Sequence, residues 1–112
     1  MPSPVATVVA SAARTATGTT GTLDAPSEAN LILAVVCSAV SGTTPTMTLS
    51  IEWSMDGTNW CPAATADAFA EMTAASNVVK PFTVKGSSYR IKWTIGGTTP
   101  SFTFTVTELG ID

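Results

Sequence analysis

The sequence predicts an all-β chain, an antiparallel β-sandwich of Ig-like or jelly-roll-like type with seven to eight strands. Three observations carry that prediction. Residues 46–54, 88–95 and 101–109 each place an apolar side chain on every second position, the mark of a strand with one dry and one wet face. Clusters of Gly, Pro, Ser and Thr punctuate the chain at short intervals. At 112 residues, there is enough chain for one domain with one core. No internal repeat stands out strongly enough to argue from.

Taken in order, residues 1–27 are rich in Thr, Ala and Ser and carry Pro2, Pro4, Gly18, Gly21 and Pro26. They read as an N-terminal arm or loosely ordered first strands, with a short strand at 5–9 and a loose strand or loop at 15–23. The β-sandwich domain then runs over 28–112. Residues 29–40 are the most apolar stretch. Leu31, Leu33, Val35, Cys37 and Ala39 share one face; Ile32, Ala34, Val36 and Val40 share the other. Their β-branched content and the following turn, 41–45, favour a strand over a short buried helix. A strand apolar on both faces must be covered on both. One face meets the core, and the other meets the N-terminal segment or another subunit.

The next strand directs Met47, Leu49, Ile51 and Trp53 inward, with Thr48, Ser50, Glu52 and Ser54 between them. Ser54-Met55-Asp56-Gly57 suits a type I turn with Gly57 at positive φ. In a bulged three-residue hairpin, Trp60 stands opposite Glu52 on the outer face. In a four-residue loop, Trp60 stands opposite Trp53 and enters the core. The area of a large aromatic favours the core; the other register makes Trp60 a contact for a partner. Residues 63–75 read as loop with a short strand, and 77–85 as a strand broken or edged by Pro81. The last two alternating segments send Tyr89, Ile91, Trp93 and Ile95, then Phe102, Phe104 and Val106, inward. Joined by Gly96-Gly97-Thr98-Thr99-Pro100, they predict an antiparallel hairpin.

Charge is scarce. Charged residues make up 12% of the chain, about half the usual share, which points to a surface partly covered by partners or kept soluble by hydroxyls. The net charge of −3 argues against a nucleic-acid partner. Lys80, Lys85, Arg90 and Lys92 cluster in the last third, behind mostly earlier acids. That asymmetry suits either simple solvation of strand faces or acid–base contacts between subunits. The N-terminal stretch lacks a basic n-region, so no secretory signal is expected, and no apolar run is long enough for a membrane helix. Without export, Cys37 and Cys61 are expected as free, buried thiols.

Catalytic chemistry is hard to place. There is no histidine, so the commonest general base and a frequent metal ligand are missing. No phosphate-binding glycine loop occurs. Asp56, Asp67 and Glu71 lie near one loop region, but turn and surface roles suit each of them better than a carboxylate pair or a calcium site. No enzyme, cofactor or metal is expected. Carbohydrate binding is a separate reading, open only to Trp60, because Trp53 and Trp93 occupy core positions.

The pattern Ser54-x-Asp56-Gly57-x-x-Trp60 behind an alternating strand resembles short β-rich structural proteins of tailed bacteriophages. The motif itself covers about fifteen residues. The rest of the chain is similar in general character, with Thr-rich sheets, few charges and no signal peptide expected. The likeness implies a virion component assembled in the host bacterial cytoplasm, most specifically a capsid decoration (cement) protein stabilising the shell by bridging capsid subunits. A tail or head–tail connector protein, or a receptor-binding sandwich, is the alternative. Implied partners are the major capsid protein or other virion subunits and further copies of this chain, a trimer being favoured. Ile32, Ala34, Val36, Trp60, Lys80, Lys85, Arg90 and Lys92 are the candidate contacts. The doubly apolar strand and the low charge suit permanent contacts.

Overall fold

A computed structural model describes residues 5–112; expectations for the first four residues lie outside the described residues. Seven strands form one antiparallel sheet, and no helix occurs among the described residues. They are β1 (Ala6–Arg14), β2 (Gly18–Thr19), β3 (Leu23–Asp24), β4 (Asn30–Ser54), β5 (Cys61–Pro62), β6 (Ser76–Thr83) and β7 (Ser88–Ile111).

The sheet is organised by β4 and β7, which pair along nearly their whole lengths, from Asn30↔Ile111 to Ser54↔Ser88. This corrects the expected hairpin. Residues 88–95 and 101–109 do not pair with each other; they are two stretches of β7, and both pair with β4. Residues 29–40 and 46–54 are likewise two stretches of β4. The two Gly-Thr-Thr-Pro sequences turn corners instead of reversing the chain. Gly42 and Gly97 both sit at φ 111°, and Thr44 and Thr99 both at φ 46°. Thr43 lies opposite Thr98, so the corners coincide and the ladder resumes on either side. Each Thr hydroxyl donates to the preceding carbonyl at 2.8 Å, Thr44 to Thr43 and Thr99 to Thr98. The left-handed conformation of these β-branched residues costs about 1–2 kcal/mol each. The double crease therefore obeys a local two-fold relation that relates 42–51 to 97–106, a repeat carried in sequence by the duplicated Gly-Thr-Thr-Pro.

The crease divides the sheet into two wings. Wing one comprises 30–41 of β4 and 101–111 of β7, flanked by β6 and β1. Wing two comprises 46–54 of β4 and 88–96 of β7, flanked by β2 and β3 on one side and β5 on the other. Residues 63–75 run along wing two as the expected loop, but the short strand expected with it does not form; only the single bridges Met47↔Met72 and Ser50↔Ala68 pair the segment with β4.

The wings turn their dry faces toward each other. Trp93 of wing two meets Phe104 of wing one edge-on at 5.7 Å between centroids. Phe69 meets Phe82 in the same manner at 5.5 Å. The Tyr89 hydroxyl, on wing two, donates to Glu108 of wing one. Leu31, Leu33, Val35 and Cys37, then Met47, Leu49, Ile51 and Trp53, and the alternating residues 89–93 and 102–106 are all buried, as their period of two predicts. Burial and the Glu108 carboxylate together raise the Tyr89 pKa above the ordinary tyrosine value. Arg14 closes the β1 side, its guanidinium 4.8 Å from the centre of the Trp93 ring.

Candidate functional site

Because side chains alternate across a strand, the core assignment also fixes what each wing shows outward. On wing one the cross-strand register aligns three outer rows: Pro81–Ile32–Leu109, Val79–Ala34–Thr107–Thr7, and Asn77–Val36–Thr105. None of these residues is charged. The nearest acid on β7, Glu108, points its carboxylate to Tyr89 on the core side. Val36 is 43% exposed and Val79 63%, so the second face of the doubly apolar strand is not covered by the described N-terminal segment. That segment instead adds β1 to the edge of β7. Val5, Ile32, Ala34, Val79, Thr107, Glu108 and Leu109 border a shallow, mainly apolar depression on this face, Glu108 being its one charged residue, with its carboxylate turned to Tyr89.

The edges of wing one are guarded while its face is bare. Val84 N–H donates to Ala29 at 2.9 Å, one step beyond the Thr83↔Asn30 pair. With an unbroken register, the even-numbered residues of β6 therefore bond to β4, and Asn77, Val79, Pro81 and Thr83 turn their main chain to the open edge. Pro81 sits where a donor is missed least and an added strand would miss it most. The edge role expected for this strand from Pro81 is what the fold shows. At the opposite edge, β1 carries register shifts between Thr7 and Val9 and between Val9 and Ala12. Proline and bulges both discourage strand addition.

Wing two shows a different exterior. Its outer rows are Thr48–Thr94, Ser50–Lys92–Thr19 and Pro62–Glu52–Arg90. Arg90 Nε donates to Glu52 Oε1 at 2.7 Å, and its guanidinium lies 4.7 Å from the centre of the Trp60 ring. Trp60 is thus half-buried on the outer face, not in the core as its size had favoured. The cause is a turn wider than either expected register. Asp56 Oδ1 accepts from Thr58 and Asn59 N–H at 2.8 Å, and its other oxygen accepts from the Asn59 amide at 2.7 Å. Pairing resumes only at Trp53↔Cys61. Ser54, expected to face water, is buried, and its Oγ accepts from Gly57 N–H at 2.7 Å. Gly57 has φ 78°, the positive value the turn required. The hydrogen bonds from Asn59 and Thr58 hold the Asp56 carboxyl well below the usual carboxylate range.

The eight candidate contacts fall into three groups. Ile32, Ala34 and Val36 stand together on the bare face of wing one. Trp60, Arg90 and Lys92 lie on the outer face of wing two. Lys80 and Lys85 join neither. Lys80 Nζ donates to the Ala68 carbonyl at 2.7 Å, a link between the wings, and Lys85 pairs with Asp67 at 3.0 Å. Acid and base thus meet within the chain at Arg90–Glu52 and Lys85–Asp67.

Asp67 also accepts from Trp53 Nε1 at 2.8 Å, and the exposed Asp56 is engaged by N–H groups of its own turn, so the three loop carboxylates do not gather into one group. Among the described residues no group of three or more His, Cys, Asp or Glu is placed to hold a metal ion. Both cysteines are free; Cys37 is buried as expected, while Cys61 is exposed, at the start of the return strand beyond the wide turn. Val79 and Leu109 complete the bare face and were missed in the sequence. A signal for Val79 exists in the paired Val78-Val79, apolar on both sides of an edge strand. No protein family, curated protein or solved structure matches the chain.

Proposed function

We propose that this protein is a structural subunit that works by binding alone, its creased sheet acting as a β-sandwich that presents a neutral face to a larger protein assembly. The observation that carries the reading is the outer face of wing one. Ile32, Ala34, Val36, Val79 and Leu109 form a contiguous apolar patch rimmed by Thr and Asn, without a charge, on a chain of net charge −3. Exposed apolar patches of this kind mark interaction surfaces. Guarded edges beside a bare face suit packing by the face and not by strand addition.

The resemblance of the Ser54–Trp60 turn to β-rich phage structural proteins supplies the specific form: a capsid decoration protein bound to the major capsid protein. Carbohydrate binding is the weaker reading, because Arg90 already stacks over the Trp60 ring that a sugar would need. The test is to add the purified protein to expanded, empty phage capsids. Bound density at subunit junctions by electron microscopy, with a raised capsid melting temperature, is the expected result. Density on tails alone would replace decoration with a tail role, and no particle binding at all would remove the virion reading.

A further inference from the structure

We infer that the bare face of wing one is a self-association surface, and that its occupant is a second copy of this chain packed face to face about a two-fold axis. The inference rests on the reading of this face as an assembly surface and names what covers it.

Charge argues for this occupant first. Two copies of a chain of net charge −3 repel each other, and they approach at least cost through surfaces that carry no charge. The outer rows of wing one are such a surface; those of wing two, with Glu52, Arg90 and Lys92, are not. A charged partner would gain nothing from a neutral face, whereas an identical neutral face matches it.

Geometry argues second. Ala34, the smallest side chain of the apolar row, lies at the centre between Val79 and Thr107, so two faces can approach at the usual spacing of about 10 Å between packed sheets. The same patch on both copies gives an isologous contact, which closes as a dimer.

Area sets the strength. Four strands at about 4.8 Å spacing and some eight residues at about 3.3 Å rise give roughly 500 Å² per copy. About 1,000 Å² in total is the low end for a specific pair. The dimer is therefore expected to be concentration-dependent, with a dissociation constant of micromolar order.

The experiment is sedimentation equilibrium of the full chain over a concentration series, with two variants. Wild type should pass from monomer to dimer. Val36→Lys, at an exposed position where it leaves the core untouched, should weaken the dimer at least about a hundredfold, since each dimer then buries two ammonium groups in an apolar interface. Thr94→Lys, an exposed position on the outer row of wing two, makes the same charge change away from the bare face and should leave the dimer within about threefold of wild type. Circular dichroism confirms that both variants are folded.

A wild-type chain that stays monomeric throughout overturns the proposal, as does a dimer or trimer indifferent to Val36→Lys. If such a monomer still binds expanded capsids, the assembly reading survives and the occupant of the face is another protein. If the chain dimerises through Val36 but binds no particle, the reverse holds.

Discussion

The two wings share a corner, a ladder and a core, and differ on their exteriors. Inside, Met47, Leu49 and Ile51 of wing two stand in the positions that Phe102, Phe104 and Val106 hold in wing one, related through the twin corners. Outside, the matching positions diverge. Wing two bears Glu52, Arg90 and Lys92; wing one bears Ile32, Ala34, Val36 and Thr. A strand needs only one dry face to fold against a core, so the inner face is under the same demand in both wings. The outer face is not. An exterior with an ion pair and hydroxyls is at rest in water, whereas an apolar exterior keeps an unspent driving force of about 25 cal/mol for each Å² it leaves wet. The difference between the wings therefore separates the residues that build the fold from those available to bind something.

If the wings are equal inside, removing one aromatic from either should be equally severe. Trp93→Ala and Phe104→Ala are each expected to lose about 3–5 kcal/mol in denaturant unfolding. The two rings touch at 5.7 Å, so the double variant should fall short of the sum by about 0.5–1.5 kcal/mol. A strictly additive result would mean that the wings do not share a core, and the comparison would lose its basis.

The corners are the next place to break it. A Cβ on Gly42 would lie 2.6 Å from the Thr99 carbonyl oxygen, and one on Gly97 would lie 2.6 Å from that of Thr44. Both backbones also hold a φ that L side chains rarely adopt. Gly42→Ala and Gly97→Ala should each cost about 2–4 kcal/mol, from strain and from overpacking against main chain. The sharper claim is their equality, to within about 1 kcal/mol. Thermal melts showing one change tolerated and the other not would make the two-fold relation a coincidence of shape.

What could be read from the sequence follows the same division. The buried residues from Met47 to Trp53, Tyr89 to Trp93 and Phe102 to Val106 were legible, because a one-sided strand writes its core in a period of two. So was the second dry face of Ile32, Ala34 and Val36. The corners were not. Gly-Thr-Thr-Pro has the composition of a reversal, and nothing in it says that Thr44 and Thr99 adopt left-handed backbone and let the strand run on. The direction of Trp60 was hidden because the turn width depends on Asp56 collecting the N–H groups of Thr58 and Asn59. The full bare face was hidden because Val79 and Leu109 reach it from other strands, and only the register brings them beside Ala34 and Ile32.

The exteriors give the smallest effect and the most direct test of the difference. Arg90 makes a 2.7 Å charge-assisted bond to Glu52 and lies over Trp60, with about a quarter of its side chain exposed (28%). A bond of that kind, partly shielded from water, contributes more than an open surface pair, and the aromatic contact adds to it. Arg90→Ala is expected to lower stability by about 1–2 kcal/mol, read from the urea midpoint. The matching change on wing one, Val36→Thr, keeps the β-branched shape and removes apolar surface that no described residue covers. Its expected effect on the monomer is within about 0.5 kcal/mol, because the side chain contributes little to the core. The pair of measurements separates two accounts of the bare face. If Val36→Thr costs as much as Arg90→Ala in dilute monomer, the patch is part of what holds wing one together. If it costs almost nothing there and its effect appears only as concentration rises, the apolar exterior belongs to a contact between molecules.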